Sequence, residues 1–67
     1  MIVKDIKNNT VCIINESTEQ VVLKYKGIKT LVNLPVGFKY EIKRNATTTI
    51  VFHKTKKEYR IDSYLSN

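Results

Sequence analysis

Cysteine and histidine are nearly absent from this sequence of 67 residues, which contains only Cys12 and His53. One cysteine cannot form an internal disulfide, and one cysteine with one histidine supplies too few ligands for a tetrahedral zinc site. Small domains often depend on such cross-links, because a chain of this size buries only about 60% of the surface that its unfolded form exposes. We therefore predict one domain over residues 1–67 that is stabilised by its apolar core and holds no cofactor or metal.

Glycine and acidic residues are also scarce, and their scarcity bears on catalysis. The two glycines are too few for a phosphate-binding loop, and the six acidic residues form no pair with the spacing of a general acid and base. Cys12 and His53 are the only conceivable pair for nucleophilic catalysis, but the strand pattern assigns them to different sets of strands. The sequence predicts a protein that is not an enzyme, with His53 on the surface opposite Glu58.

Long apolar segments are missing as well. No stretch approaches the roughly 18 consecutive apolar residues of a membrane-spanning helix. The N-terminus has no apolar run behind a basic start, which predicts that there is no signal peptide. We expect a cytoplasmic protein that does not enter membranes and keeps Cys12 as a reduced thiol.

The residues that are abundant favour β-structure. β-Branched and aromatic residues recur in short runs that are divided by turn residues, and helical periodicity is absent. The predicted strands lie near 2–6, 11–14, 20–26, 28–34, 38–44, 48–54 and 57–62. Because the connections are short and each strand has one apolar face, we predict an all-β fold. It is a small SH3-like barrel or a compact antiparallel sandwich of five to seven short strands.

Strand registers follow from the requirement that apolar residues share a face, since a shift of one residue turns every side chain over. Lys26-Gly27 fits a two-residue turn, and Pro35-Val36-Gly37 fits a second turn. The predicted pairs are Tyr25 with Ile28, Leu23 with Thr30, Val21 with Val32, Ile13 with Val21, Val11 with Leu23, Leu34 with Phe38, Val32 with Tyr40, Thr30 with Ile42, Phe52 with Tyr59 and Ile50 with Ile61. These pairs direct every aromatic ring except that of Tyr64 toward the core.

The same registers place three lysines in one row on the outer face, with Lys24 opposite Lys29 and Lys29 opposite Lys43. Like charges that face each other directly are destabilising, so the row favours an anionic partner. The other interpretation is that these are solvated lysines that protect an exposed sheet from aggregation.

A second outward row is predicted beside the lysines. Its members are Cys12, Val22, Leu31 and Glu41, with Ile14 nearby. One explanation for these apolar residues is that the N-terminal strand covers them through Ile2, Val3 and Ile6. The other is an exposed apolar patch rimmed by lysines, which is typical of an interaction surface.

Net charge adds to this pattern, because the chain carries a formal charge of +6 at pH 7. Our leading hypothesis is a non-catalytic protein-binding module, an inhibitor or adaptor of the kind that phages and mobile elements encode. Its predicted binding residues, facing a partner with an acidic surface, are Lys24, Lys29, Lys43, Val22, Leu31 and Lys39. A nucleic-acid-binding barrel that uses the lysine row is the alternative, although inward aromatic rings and a preference for Lys over Arg disfavour it. A self-associating structural protein is the third hypothesis.

Overall fold

The computed structural model describes residues 1–66, which form seven β-strands and no helix. The strands are β1 (Ile2–Lys4), β2 (Thr10–Asn15), β3 (Gln20–Tyr25), β4 (Ile28–Asn33), β5 (Lys39–Arg44), β6 (Thr47–Thr55) and β7 (Glu58–Leu65). The predicted all-β fold is confirmed, and each predicted strand corresponds to an observed one. The largest differences are that β1 ends at Lys4 and that β7 continues to Leu65.

The seven strands form two antiparallel sheets. A four-stranded sheet has the order β1-β2-β3-β4, and a three-stranded sheet has the order β5-β6-β7. Both sheets contribute to one apolar core, which consists of Val3, Val11, Cys12, Ile14, Val21, Leu34, Ile42 and Val51. The protein is therefore a compact antiparallel sandwich, one of the two architectures predicted.

The β3–β4 hairpin has the predicted register. Lys26 and Gly27 both adopt positive φ, at 50° and 81°, as the tight turn between two right-twisted strands requires. The pairs Tyr25 with Ile28, Leu23 with Thr30 and Val21 with Val32 are confirmed. A two-residue turn fixes the register of the strands that it joins, so this hairpin follows from local sequence alone.

The predicted pairing of β4 with β5 is wrong, because these strands belong to different sheets. The chain between them crosses to the end of β6. There the Gly37 N–H donates to the His53 carbonyl at 2.7 Å, and the His53 N–H donates to the Phe38 carbonyl at 3.1 Å. Pro35 and Gly37 thus form a crossover between sheets instead of a hairpin. The predicted pairs of Leu34 with Phe38, Val32 with Tyr40 and Thr30 with Ile42 do not occur.

Two other hairpins differ from the predicted register by one residue. Ile13 pairs with Val22 instead of Val21, and Tyr59 pairs with His53 instead of Phe52. The β2–β3 ladder is regular and begins at the pair of Asn15 with Gln20, whereas an irregularity between His53 and Thr55 accompanies the shift in the β6–β7 ladder. A bulge adds one residue to a strand and so exchanges its inner and outer faces. His53 is consequently fully buried, contrary to its predicted surface position.

The aromatic rings also depart from the prediction that they fill the core. Tyr40 and Tyr59 pack against the core, as expected. Tyr25 and Phe38, however, are 56% and 61% exposed, and Tyr64 is exposed as predicted. Tyr25 lies at the last position of β3, and Phe38 lies in the crossover before β5.

A buried carboxylate joins the loop after β1 to the three-stranded sheet. The Oδ1 atom of Asp5 accepts hydrogen bonds from the N–H groups of Asn9 and Lys7, each at 2.9 Å. The Thr47 hydroxyl, which donates to the Arg44 carbonyl at 2.6 Å, lies 3.3 Å from Oδ2. The bond from Asn9 is the largest cause of a lowered pKa for Asp5, and it outweighs the opposing effect of burial. Ile6, which follows in this loop, is exposed and does not cover the outer face of the sheet.

Candidate functional site

The outer face of the four-stranded sheet carries one apolar side chain on every strand. Ile2 pairs with Ile13, Ile13 with Val22, and Val22 with Leu31, so the four residues form a single cross-strand row. Ile2, Ile13 and Leu31 are 63%, 47% and 54% exposed, and Val22 is half-buried. Directly paired side chains in an antiparallel sheet lie about 5 Å apart, so this apolar row is one continuous patch.

Different polar residues border the apolar row on its two sides within β3 and β4. Lys24 pairs with Lys29 on the side toward the hairpin turn, which confirms the predicted juxtaposition of two like charges. On the other side Gln20 pairs with Asn33, and the Gln20 amide donates to the Asn33 amide oxygen at 3.1 Å. None of these flanking residues is acidic.

The remaining predicted lysines lie elsewhere. Lys43 and Lys39 are on β5, in the three-stranded sheet, so the predicted row of three lysines is wrong at Lys43. Lys43 forms an ion pair with Glu41 at 3.5 Å, and the ammonium of Lys39 lies 5.5 Å from the centre of the Phe52 ring. Lys43 is absent from the row because the crossover between the sheets separates β5 from β4.

Sequence reasoning also missed two members of the apolar row. Cys12 and Ile14 were predicted to face outward, but they are buried, and Ile13 and Ile2 take the outer positions. The whole run from Val11 to Ile14 is apolar, so alternation of polar and apolar residues could not fix which members face inward. The N-terminal strand does not cover the row; it extends the sheet and adds Ile2 to it.

A cleft opens beside the apolar row where β2 and β3 separate. The last pair in the β2–β3 ladder on this side is Ile13 with Val22, and beyond it lies a cleft of about 370 Å³. We call it the β2–β3 cleft, and its lining residues are Thr10, Val11, Cys12, Ile13, Val22, Lys24, Lys29 and Arg44. Ile13 and Val22 therefore belong both to the apolar row and to the cleft.

Three cations and a neutral thiol define the electrostatics of the cleft. Lys24 and Lys29 are exposed, whereas Arg44 is half-buried and reaches the cleft from the three-stranded sheet. Burial raises the pKa of the Cys12 thiol to about 11, although the nearby Arg44 charge opposes this rise. Cys12 is therefore protonated at neutral pH and is an apolar part of the lining, not a nucleophile.

The Arg44 guanidinium is held by an aromatic contact. Its central carbon lies 5.0 Å from the centre of the Tyr25 ring, and the ammonium of Lys26 lies 5.4 Å from the same centre. Both distances are within the range of a cation–π interaction. This end of the four-stranded sheet thus concentrates positive charge around an exposed ring and an apolar cleft.

His53 is fully buried and makes structural contacts, although the sequence predicted a surface position for it. Its Nδ1 atom lies 2.8 Å from the Leu34 carbonyl oxygen, and a carbonyl only accepts, so Nδ1 carries the proton and donates it. The imidazole stacks on the Tyr59 ring, with ring centres 4.1 Å apart and 10° between the planes. Burial, together with the charges of Glu19 and Glu16, raises the pKa of Tyr59. His53 joins the crossover to the three-stranded sheet, and Cys12 lies in the other sheet.

Comparison of the chain with protein-family models, curated proteins and solved structures gives no match. Within residues 1–66, no helix is long and apolar enough to cross a membrane. The same residues contain no group of three or more His, Cys, Asp or Glu side chains that could hold a metal ion. The function is therefore inferred from the surface geometry of the chain.

Proposed function

We propose that the protein is a non-catalytic protein-binding module that acts as an inhibitor or adaptor through the outer face of its four-stranded sheet. The observation that carries this proposal is the apolar row, in which Ile2, Ile13 and Leu31 are each about half exposed or more and are contiguous through Val22. Contiguous apolar patches are uncommon on isolated soluble domains, and they are typical of the centre of a protein interface.

The charges around the row favour a partner with an acidic surface. Lys24 and Lys29 face each other beside the row, and Arg44 lies at the adjoining cleft. A negative partner surface would remove the repulsion between the two lysines and would accelerate association by electrostatic steering. Burial of the apolar row supplies the affinity, whereas the lysines at its border determine orientation and rate.

Capture from lysate with matched leucine variants tests the proposal. The wild type and two variants serve as baits. The test variant is Leu31→Ser, at an exposed position of the row, and the control variant is Leu65→Ser, at an exposed position of β7 in the other sheet. We expect proteins that the wild type and Leu65→Ser retain to be lost with Leu31→Ser. For a purified partner, the affinity should fall about 5- to 30-fold, which corresponds to about 1–2 kcal/mol for an apolar contact near the interface centre.

The same variants identify the outcomes that contradict the proposal. Equal capture by Leu31→Ser and Leu65→Ser would show that the row does not bind the partner. Light scattering that shows a dimer of the wild type and a monomer of Leu31→Ser would assign the row to self-association instead. Circular dichroism of each variant confirms that the fold is intact, which the exposure of both leucines leads us to expect.

A nucleic-acid-binding function is the second candidate, and the exposed rings favour it. The cationic groups of Lys26 and Arg44 both lie within 5.4 Å of the centre of the Tyr25 ring, and aromatic rings beside cations are the usual elements of single-strand binding. Fluorescence titration of a labelled single-stranded oligonucleotide at about 50 and 200 mM salt tests it. Binding that weakens steeply with salt and with Tyr25→Ala would support this function, and no binding at about 50 mM salt would exclude it.

A further inference from the structure

We propose that the β2–β3 cleft binds an anchor of the partner protein that consists of a large apolar residue next to a glutamate or aspartate. This inference rests on the proposed function and specifies the chemistry of the partner segment. The cleft volume of about 370 Å³ lies at the lower end of the roughly 300–1,000 Å³ that ligand pockets occupy. It is large enough for the side chains of such a short segment.

The separation of β2 and β3 creates the cleft and lines it with apolar groups. The β1–β2 ladder pairs Val3 with Cys12 and Lys4 with Thr10, so Val11 is the extra residue of the irregularity. As a result the adjacent residues Val11 and Cys12 are both buried, and both line the cleft. The protonated thiol of Cys12 keeps this lining uncharged, so it suits an aliphatic or aromatic side chain.

Positive charge at the cleft has no internal counterpart among residues 1–66. The lysine and arginine side chains that form ion pairs within these residues are Lys43, with Glu41, and Arg60, with Asp62. Neither Lys24, Lys29 nor Arg44 takes part in them, and the lining of the cleft includes no acidic residue. Arg44 is half-buried, and a carboxylate would complement its planar donor groups with two parallel hydrogen bonds.

Continuity with the apolar row indicates that the occupant belongs to a protein and is not a free small molecule. Ile13 and Val22 take part in the row and also line the cleft. A partner that covers the row therefore extends directly over the cleft opening. In protein interfaces the strongest contacts are usually made by side chains that enter such a pocket near the centre of the contact area.

Nuclear magnetic resonance titration of the ¹⁵N-labelled full chain tests the proposal with defined probes. The probe is the peptide acetyl-Ala-Phe-Glu-Ala-amide, and its matched control is acetyl-Ala-Phe-Gln-Ala-amide. We expect the glutamate peptide to shift the amide signals of Cys12, Ile13 and Val22. The glutamine peptide should bind about tenfold more weakly, which is the loss expected for one charge-assisted hydrogen bond.

Variants of the cations identify the carboxylate contact. Arg44→Gln should weaken binding of the glutamate peptide about tenfold and should leave binding of the glutamine peptide unchanged. Arg60→Gln, at an exposed arginine on the outer face of β7, is the control and should have no effect. Because Arg44 also contacts Tyr25, the exposed pair Lys24→Gln and Lys29→Gln provides a second test that does not disturb the fold, with weakening of several-fold expected.

The proposal is overturned if the two peptides bind equally, or if neither shifts the cleft signals at about 10 mM, a concentration that detects even millimolar affinity. Leu31→Ser separates this result from the proposed function, because Leu31 is outside the cleft lining. Peptide binding in the cleft, together with partner capture that Leu31→Ser does not reduce, supports the cleft and contradicts the role of the row. Loss of capture with Leu31→Ser, without peptide binding, supports the row and contradicts the cleft.

Discussion

The outer faces of the two sheets differ in how their charged side chains are arranged, although both sheets belong to the same lysine-rich chain. On the three-stranded sheet, charges of opposite sign are neighbours, with Arg60 and Asp62 3.2 Å apart and Lys43 and Glu41 3.5 Å apart. On the four-stranded sheet, Lys24 faces Lys29 beside the apolar row, without an acidic neighbour in either paired strand. A compositional bias toward lysine acts on the whole chain equally, so it does not explain this difference.

The contrast is that the exposed charges of one face have partners of opposite sign within the chain, whereas those beside the apolar row do not. Opposite charges in neighbouring positions contribute a few tenths of a kcal/mol each, and like charges in direct opposition cost a similar amount. The three-stranded sheet therefore has its stabilising surface contacts within the chain. On the four-stranded sheet the pair of Lys24 with Lys29 has no such stabilising contact, which adds to the apolar row as support for the proposed binding face.

The largest expected change in the free energy of unfolding concerns the interior. Both sheets contribute to it, so the difference between their outer faces should not matter there. His53→Ala removes the hydrogen bond to the Leu34 carbonyl and the stack on Tyr59, and it leaves a cavity at a fully buried position. We expect the free energy of unfolding to fall by about 3 kcal/mol in urea denaturation. His53→Phe keeps most of the volume but leaves the carbonyl unpaired, so about half of that loss should remain. A loss below about 1 kcal/mol for His53→Ala would contradict the role of His53 in joining the sheets.

A smaller effect is expected for the polar link between the sheets at Asp5. Its lowered pKa means that the folded protein binds this proton less readily than the unfolded chain, whose value is 3.8. The stabilisation by the carboxylate is therefore complete above pH 3.8 and is lost as the pH falls through the lower folded-state pKa. Asp5→Asn should be less stable than the wild type at neutral pH, because a neutral amide oxygen accepts the Lys7 and Asn9 N–H bonds more weakly than a carboxylate does.

The pH dependence of this difference provides the check. Urea denaturation of both proteins from pH 7 to pH 2 should show the two free energies of unfolding converging below pH 3.8. A constant difference over this range would mean that the charge of Asp5 does not contribute. Asp62→Asn, at an exposed carboxylate of the three-stranded sheet, is the control and should show a much weaker pH dependence.

The features that the sequence predicts correctly are those that depend on residues close together in the chain. Every strand was predicted, and so was the β3–β4 hairpin, because the Lys26-Gly27 turn determines its register locally. The juxtaposition of Lys24 with Lys29 was correct for this reason, while their role in binding remains a prediction. Local sequence does not show that Pro35 and Gly37 lead to another sheet, and the assignment of Lys43 to the same face therefore failed.

The apolar row illustrates a second limit of prediction. Ile13 was assigned to the core and Cys12 to the surface, because four consecutive apolar residues in β2 fit either phase equally well. The regular β2–β3 ladder, which begins at the pair of Asn15 with Gln20, places Ile13 beside Val22 on the outer face, and local sequence does not show at which pair this ladder begins. Val22 and Leu31 were placed on the outer face correctly because they belong to the locally determined hairpin.

Charge reversal on each sheet is the smallest change in stability that we expect, and it is the most direct test of the contrast. Lys24→Glu places opposite charges across from each other in β3 and β4 and should stabilise the protein by a few tenths of a kcal/mol. Asp62→Lys replaces the partner of Arg60 with a like charge and should destabilise it by a similar amount. High salt should reduce both effects, since the groups are exposed.

Partner binding should respond to these two substitutions in the opposite order. Lys24→Glu, although more stable, places a negative charge at the proposed interface and should slow association with an acidic partner at least several-fold at low salt. Asp62→Lys should leave the association rate within about twofold, because it lies on the face that binds nothing in our proposal. A gain in stability that is accompanied by unchanged binding of Lys24→Glu would mean that the like-charged pair is only a tolerated surface feature. If Lys24→Glu raises the stability and slows association, the repulsion between Lys24 and Lys29 is a cost to stability that accompanies binding of the partner.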